Sequence, residues 1–421
     1  MELPGISPDL LSSVQDAARE CGVTRLALVG GAVRDALLHH QHQEPWRGLP
    51  DLDLVVEGSA EALAHHLLQR CGDERVSELR VHGKYGTVEL VLDGVLLDLA
   101  AARQERYPAP GFNPVVEPGL LELDLARRDF TVNALAFELP LNAVEPQPSV
   151  KERLLDLHGG QAHLARRQLA FLHDASVADD PTRVIRAARY GARLGFSLAP
   201  EAAQQITDTL MAWPWRWQIG DPPEQAPPAL ATRLRMELEL LLSREPWPQA
   251  LDLLQAWGGL ALLDPGLQAD QWLLRRLVQA QRLGLPLLTA LVAGAADPIS
   301  LAARLQLPLQ QQRVLQQQQT LLVWLAEVRP EQVTAWSAAD WTEALEQQAV
   351  APDAVAHAVC LLAQRRARRA FWKPLLRWWG RWRHQQSAVT AKQLIAQGWQ
   401  PGPELGEELR RLRWQRLEQL R

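Results

Sequence analysis

The feature that most constrains the fold is a pair of glycines between an apolar run and a helical pattern, followed further along by two aspartates. Residues 26–29 (LALV) predict a strand, Gly30 and Gly31 permit a tight turn, and residues 32–40 follow a helical pattern. A helix that begins directly after such a turn favours a phosphate at its N-terminus. Asp51 and Asp53 stand one residue apart in an extended pattern that directs both carboxylates to one face, where they suit a hard cation. The sequence therefore predicts a phosphate site beside a divalent-cation site.

Length and composition predict a folded protein of at least two domains. The chain has 421 residues, too many for one core of ordinary size, and 47% of them are hydrophobic. No run approaches the roughly 20 uncharged apolar residues of a membrane span, and residues 1–16 carry acids where a secretion signal has basic residues. We therefore expect a cytoplasmic protein without membrane contact. The cysteines Cys21, Cys71 and Cys360 lie far apart, which favours free thiols over a zinc site or disulfides.

Strand and helix patterns predict an α/β domain followed by helices. Short β-rich runs at residues 26–29, 53–56, 87–92 and 95–99 alternate with helical patterns. A stretch rich in proline and polar residues follows at 142–149, and strand signals almost vanish after residue 164. The predicted domains are an α/β domain that carries the two aspartates at 1–140 and three helical domains at 141–225, 226–360 and 361–421.

Positive charge is concentrated near the C-terminus, so the net charge of −5 does not exclude binding to nucleic acid. Between Gln364 and Lys392, nine basic residues and no acids are interleaved with Phe371 and four tryptophans. One interpretation is an RNA-backbone surface. The other is an amphipathic helix with the tryptophans in the core and the arginines in solvent, and the two can hold together. The predicted RNA-binding residues are Arg365, Arg366, Arg368, Arg369 and Lys373.

Three further motifs follow the aspartate pair. Residues 95–99 (VLLDL) place Asp98 on a strand that would neighbour the first two carboxylates. Residues 124–134 include Arg127 and Arg128, and residues 179–190 begin with two aspartates and contain several arginines. Each motif is weak alone, since glycine pairs and Asp-x-Asp triplets occur in many loops. Their order along the chain is the informative signal.

The series GGAVRD, DLD, RRDFTVNALA, DLHGG and DDPTRVIRAARYGARLGF resembles the class II tRNA nucleotidyltransferase and bacterial poly(A) polymerase family, in the family's order and roughly its spacing. The resemblance is strong from Leu26 to Phe196. Residues 390–406 are similar to the tail segment of the same family, and the long middle is assigned by position.

The resemblance implies addition of C and A to tRNA 3′ ends from CTP and ATP without a nucleic-acid template. It implies an α/β nucleotidyltransferase head with a mixed sheet and an all-α neck, body and tail. Asp51 and Asp53 are the implied catalytic ligands of Mg²⁺, one ion activating the ribose hydroxyl and another neutralising the triphosphate. Asp98 is a candidate third catalytic carboxylate.

The family's nucleotide-binding residues map onto glycine and arginine positions of this chain. By the resemblance, Gly31 and Arg34 contact the nucleotide, where glycine permits close approach and arginine forks onto phosphate. Arg128 is expected to reach the triphosphate or ribose. Arg127 and Asp129 are expected to pair with each other and fix the segment.

The motif that begins at Asp180 is expected to choose the nucleotide. If residues 180–193 form largely one helix, steps of three place Asp180, Arg183 and Arg186 on one face, which can serve as a protein template. Arg183 can donate to cytosine O2 and N3 or adenine N1, while Asp180 accepts from either exocyclic amine. Arg186 and Arg189 would then serve the phosphates or hold the pair in place. The alternative is an ordinary salt-bridged helix with exposed arginines.

The motifs leave the member of the family open. Full CCA addition, A-only addition and poly(A) synthesis all remain. Residues 102–124 correspond to a loop that the family associates with the change from C to A addition, and their full length disfavours a CC-only enzyme. A further alternative, a non-catalytic tRNA-binding protein, is disfavoured by the intact Asp51, Asp53 and Arg128.

Overall fold

We describe a computed structural model of the chain that covers residues 2–49, 51–83, 86–141, 149, 153–364 and 369–420. The chain divides into two compact units. The first unit contains Met1–Arg216, Pro227–Ala229 and Glu245–Gly258. The second unit contains Trp217–Ala226, Leu230–Arg244 and Gly259–Arg421. No helix in the described ranges is both long and apolar enough to cross a membrane.

The first unit is built on a seven-stranded mixed sheet with the order β3-β4-β5-β2-β1-β8-β9. Strands β2 and β5 are parallel, and the other neighbours in this sheet are antiparallel. A separate hairpin, β6 and β7, follows the sheet strand β5. The strands are β1 Arg25–Val29, β2 Leu52–Glu57, β3 Val76–His82, β4 Thr87–Leu92, β5 Val95–Ala101, β6 Arg103–Arg106, β7 Val115–Pro118, β8 Ala136–Glu138, β9 Leu154–Leu155, β10 Gln168–Leu169 and β11 Ser197–Leu198.

Helices of the first unit pack on this sheet, and helices make up most of the remaining described residues. Described in chain order, they are α1 Pro8–Glu20, α2 Gly31–His42, α3 Ala60–Cys71, α4 Leu121–Ala126, α5 Gly160–Arg166, α6 Ser176–Asp179, α7 Thr182–Leu194, α8 Pro200–Ala212, α9 Thr232–Arg244, α10 Trp247–Ala256, α11 Pro265–Gln268, α12 Leu273–Arg282, α13 Leu287–Val292, α14 Pro298–Arg304, α15 Leu309–Glu327, α16 Pro330–Val333, α17 Ala338–Gln347, α18 Pro352–Leu362, α19 Arg369–Gly380, α20 Ala391–Ala396 and α21 Pro403–Glu418. The mixed sheet followed by helices confirms the predicted fold class.

Both faces of the sheet are covered, because successive residues of its central strands are apolar and their side chains point to opposite faces. Leu26 and Leu28 of β1 lie in the large apolar cluster that includes residues of α1, α2 and α3. Ala27 and Val29 belong to a second cluster, with Leu125 of α4. This two-sided burial fixes the register of β1 and β2, and with it the position of Asp53.

The four strands predicted from β-rich runs are present, within two residues of the expected ends. Strand β3 was not predicted from the sequence, because most of its side chains are exposed or charged. Strand β8 has three residues, too few for a periodic pattern. The predicted linker at 142–149 falls mostly outside the described residues.

The second unit has a helical core rich in aromatic residues. Phe371, Trp378 and Trp382 are buried in it together with Trp341. Trp378 lies in α19 and Trp382 in the turn that follows, so the interpretation that the stretch places tryptophans in the core is confirmed for these two residues. Of the predicted RNA-binding arginines, Arg365, Arg366 and Arg368 and the side chain of Arg369 lie outside the described parts. Lys373 is half-buried, with its Nζ 5.8 Å from the ring centre of Trp372.

Candidate active site

Three acidic residues lie side by side on neighbouring strands of the first unit. Asp53 of β2 pairs with Asp98 of the parallel strand β5, and Asp98 in turn pairs with Glu89 of β4. Residues paired across strands project from the same face of a sheet. Asp51 lies just before β2, two residues from Asp53. The predicted carboxylates are thus brought together, and Glu89 joins them as a fourth acid that sequence reasoning missed.

Burial raises the pKa values of the three aspartates, and neighbouring negative charges add to this effect at Asp53 and Asp98. Desolvation raises the pKa of Asp51 and of Asp53, and Asp53 is also affected by the neighbouring Asp51. Desolvation, followed by the charges of Asp53, Asp51 and Glu89, raises the pKa of Asp98 to about 6. Concentrated negative charge of this kind is stabilised by a cation.

Gly30 allows the Asp53 carboxylate and the Arg128 guanidinium to lie close to the backbone at the turn before α2. Its φ of +67° belongs to the left-handed region, and it is the N-cap of α2. A Cβ at this position would lie 3.1 Å from Asp53 Oδ2 and 3.2 Å from Arg128 Nη1. The expected contact of Gly31 with the nucleotide stays a prediction; within the protein, a Cβ at Gly31 would meet only Arg34 Nη2, at 3.6 Å. The close-packed glycine is Gly30.

A cavity of about 300 Å³ opens beside these acids. Positive charge reaches it from Arg127 and Arg128, and Arg128 lowers the pKa of Asp53 against the effect of burial. His82 Nε2 lies 3.5 Å from Glu89 Oε1 at the edge of the same cavity. The lining residues are Val29, Asp53, Leu54, Val55, His82, Thr87, Val88, Glu89, Asp98, Leu99, Ala100, Arg127 and Arg128.

Arg34 is a buried residue in a hydrogen-bond network. Its Nε and Nη2 donate to Asp35, at 2.8 and 3.0 Å, and its Nη1 donates to Asn133 Oδ1 at 2.7 Å. Asn133 Nδ2 donates in turn to Asp129 Oδ1, and Asp129 Oδ2 accepts from Arg186. This network joins α2, the turn at Thr131–Asn133 and α7 beneath the turn at Gly30.

The expected pairing of Arg127 with Asp129 is wrong. Arg127 donates to Asp124 and Glu105, and Asp129 binds Arg186 through both Nε and Nη2. The reason is local geometry, because Asp124 and Arg127 stand three residues apart at the end of α4 and lie on the same side of the helix.

The motif that is expected to choose the nucleotide is split between an extended residue and a helix. Helix α7 begins at Thr182, and Asp180 precedes it in an extended conformation, with its Oδ1 accepting from the N and Oγ1 of Thr182. Arg183 donates to Ser176 O at 3.2 Å and to Arg127 O at 3.0 Å. Asp180 and Arg183 are both buried. The second contact joins this motif to the segment that carries Arg128.

Two arginines of the motif make other pairs. Arg186 binds Asp129, as described above, and Arg189 Nη2 lies 3.2 Å from Glu245 Oε1. Arg193 binds the same carboxylate at 2.6 Å. Arg189 therefore joins α7 to the segment that precedes α10, and its expected role of serving the phosphates or holding Asp180 and Arg183 in place stays a prediction.

The arrangement fits a cation shared between the protein and a substrate. Within the described ranges, no three His, Cys, Asp or Glu side chains converge closely enough to hold an ion by themselves. A divalent ion of the magnesium type is commonly held by one or two carboxylates together with substrate phosphates. Asp51 and Asp53, with Asp98 beside them, are the residues suited to this role. Carboxylates on adjacent strands, a glycine turn at a helix N-terminus and a nearby arginine fit a nucleotidyltransferase.

Comparison with known proteins identifies the family. Residues 26–170 match the Poly A polymerase head domain. The chain is 39% identical over 310 residues to the CC-adding tRNA nucleotidyltransferase of Deinococcus radiodurans, an alignment that covers 72% of each protein. It is 34% identical over 255 residues to the A-adding tRNA nucleotidyltransferase of Aquifex aeolicus, covering 60% of this chain and 27% of that protein. The chain belongs to the tRNA nucleotidyltransferase and poly(A) polymerase family.

A solved structure shares the fold over nearly the whole chain. The apo form II of a CCA-adding enzyme aligns with a TM-score of 0.71 at 23% identity, covering 98% of this chain and 93% of that one. The helices beyond the matched head domain therefore also follow the architecture of that protein.

Proposed function

We propose that this protein is a template-independent tRNA nucleotidyltransferase that adds C, A or both to tRNA 3′ ends from CTP and ATP, with Mg²⁺ as the metal. The observation that carries this proposal is the close approach of both Asp53 and Arg128 to Gly30, beside the paired Asp98. A carboxylate pair suits the metal, and an arginine beside it suits the triphosphate.

Asp51 and Asp53 are the proposed metal-holding residues, with Asp98 as a third candidate. When bound, Mg²⁺ would lower the pKa of the terminal ribose hydroxyl and neutralise the charge of the leaving pyrophosphate. Arg128 is held by Asp124 Oδ2 at 3.0 Å, which fixes its direction and leaves other donors for a phosphate. Arg34 and Gly31 support the turn at the start of α2, where a phosphate is stabilised by the helix N-terminus.

Asp180 and Arg183 are the proposed nucleotide-selecting pair. A guanidinium donor next to a carboxylate acceptor complements the edges of cytosine and adenine and mismatches those of uracil and guanine. Their burial supports this role, because hydrogen bonds discriminate more strongly where water is excluded. Arg186 and Arg189 act as supports, through Asp129 and Glu245.

Two observations point in different directions on the choice of nucleotide. The segment 102–124 has the full length that the family resemblance associates with A addition, and here it includes the hairpin β6–β7. The Deinococcus relative, which aligns over 72% of each protein, is a CC-adding enzyme. The Aquifex relative is an A-adding enzyme. Substrate preference must therefore be measured.

The test is incorporation of labelled CTP and ATP, with Mg²⁺, on three tRNAs that end before the CCA, after the first C and after both Cs. Completion of the shortest tRNA to CCA indicates the full enzyme, and A added only after both Cs indicates an A-adding enzyme. C added without A indicates a CC-adding enzyme, and long A tails indicate a poly(A) polymerase.

Asp53→Ala is the control for catalysis in the same experiment. It should abolish transfer and keep tRNA affinity, because Asp53 is proposed to act on the metal and not on the RNA. A parent protein that binds tRNA and transfers no nucleotide would overturn the proposal and support the binding-protein alternative.

A further inference from the structure

The single-turn helix α6, Ser176–Asp179, directly precedes the selecting residue Asp180 and depends on donors from elsewhere in the first unit. A helix this short is not stable alone, and its last carbonyl groups have no partner within it. Ser176 O accepts from Arg183 Nη1, at 3.2 Å. Ala178 O accepts from Trp215 Nε1 at 2.9 Å, and Asp179 O accepts from Gly111 N at 3.1 Å.

Trp215 contributes to two of these contacts. It is 2% exposed, and its indole donates directly to α6. The ring also lies against Gly111, where a Cβ would be 2.8 Å from Trp215 Cδ1. Gly111 has a φ of +78°, and its carbonyl accepts from Ala229 N at 3.1 Å. The turn between β6 and β7 is therefore packed on Trp215 and hydrogen-bonded on both sides.

We propose that Trp215 is a positioning residue for nucleotide selection, acting through α6 on Asp180 and Arg183. Asp180 N donates to Ser176 O at 3.2 Å, and Arg183 donates to the same carbonyl. A shift of α6 therefore displaces both selecting residues together, without any contact between Trp215 and the nucleotide. This inference rests on the proposed function, since it assigns selection to Asp180 and Arg183.

The test compares Trp215→Phe with Trp217→Phe. Phenylalanine keeps most of the apolar ring at 215 and removes the donor to Ala178 O. Trp217 is also a buried tryptophan whose Nε1 donates to a backbone carbonyl, Pro222 O at 3.1 Å, so the control loses an equivalent bond. Steady-state kcat/KM is measured for CTP, ATP, UTP and GTP, and Kd is measured for each nucleotide and for tRNA. Arg183→Ala sets the upper limit of lost discrimination.

We expect Trp215→Phe to reduce discrimination against the wrong nucleotides about fivefold to tenfold, which corresponds to one hydrogen bond, at unchanged tRNA affinity. Gly111→Ala should have the same effect, and the double variant should be less than multiplicative because both act through α6. Trp217→Phe should leave the ratio of kcat/KM between correct and wrong nucleotides unchanged.

Two results would overturn the inference. One is an equal loss of kcat/KM for all four nucleotides in Trp215→Phe. The other is a kcat/KM ratio between correct and wrong nucleotides that is the same in Trp215→Phe and Trp217→Phe. The nucleotide Kd values separate this outcome from failure of the proposed function. A parent protein that transfers nothing overturns the function, yet eroded binding preference in Trp215→Phe would still support the positioning role.

Discussion

Asp98 lies directly opposite Asp53 across the parallel strands β5 and β2. The two strands also pair through Leu52 and Leu97, both fully buried, so the acids are held at this spacing by the apolar core. Like charges at adjacent positions destabilise the folded protein unless a cation or a proton is bound. The site therefore favours metal binding at a cost in the stability of the metal-free protein.

Asp98→Asn should stabilise the metal-free protein at neutral pH. The pKa of Asp98 is about 6 in the folded protein and 3.8 as its ordinary value. Between these values the folded state binds more protons than the unfolded state, so stability falls as pH rises from about 4 to 6. Since Asp98 is half-exposed, we expect a gain of about 1 kcal/mol at pH 7.5 in the variant.

Urea unfolding in a chelator at pH 4 and pH 7.5 measures this effect. The stability difference between variant and parent should be much smaller at pH 4, where Asp98 is almost fully protonated in the folded state and partly protonated in the unfolded state. The same difference at both pH values would show that Asp98 is not the titrating group. Transfer activity should fall in the variant despite its higher stability.

Gly30→Ala should damage both the turn and the chemistry. A side chain at φ +67° is strained, and its Cβ would press on Asp53 Oδ2 and Arg128 Nη1. We expect a loss of roughly 1–3 kcal/mol in stability and about a hundredfold loss in kcat, because catalytic groups tolerate little displacement.

Gly94→Ala is the matched control for this substitution. Gly94 has a φ of +79° in the turn between β4 and β5, with nothing within 4 Å of its would-be Cβ. The control should lose stability through backbone strain and keep kcat. Equal kcat in the two variants would mean that contact with Asp53 and Arg128 does not explain the role of Gly30.

The sequence predicted the central strands and the acids because those signals are local. Apolar alternation and the spacing of Asp51 and Asp53 are properties of single segments. Glu89 and His82 could not be found in this way, because strand order brings them beside Asp98 and strand order is not visible in any one segment.

The local pattern also could not show which of two nearby residues packs closely or forms an ion pair. Either Gly30 or Gly31 fits a tight turn, and the sheet and Arg128 decide which one packs closely. The partner of Asp129 is 57 residues away, at Arg186, while the nearer Arg127 is taken by Asp124. The spacing of Asp124 and Arg127 was a usable signal for the latter pair.

Asp129→Asn should be strongly destabilising because it removes the charge opposite Arg186. Asp129 is buried, Arg186 holds its pKa below the ordinary value against burial, and it also accepts from Asn133 Nδ2 and Phe130 N. Removing one member of such a pair costs about 3 kcal/mol. Calorimetric or urea unfolding should show this loss.

Glu408→Gln is the control, because it breaks an exposed two-point pair with Arg411. It should leave the unfolding midpoint nearly unchanged. A double-mutant cycle of Asp129→Asn with Arg186→Met should then give a coupling energy well above zero. Additive effects would show that the two residues stabilise the protein independently.

Reversal of Arg365, Arg368 and Arg369 to Glu should weaken tRNA binding and flatten its dependence on salt. Each phosphate contact that is lost lowers the number of counterions that are released on binding. The slope of log K against log salt therefore becomes less negative by roughly 0.7 to 0.9 per contact. The buried Trp378 is compatible with this role, because helix α19, Arg369–Gly380, can bury one face and present another.

The control reverses Arg80, Arg166 and Arg282, three exposed arginines outside the basic stretch, and so changes net charge by the same amount. Binding of tRNA is measured at several salt concentrations for both variants and the parent. A slope that changes only in the first variant locates the contact in the stretch 364–392. Equal changes in both variants would mean that overall charge, and not this surface, governs tRNA affinity. An unaltered slope in the first variant would contradict the interpretation of this stretch as an RNA-backbone surface.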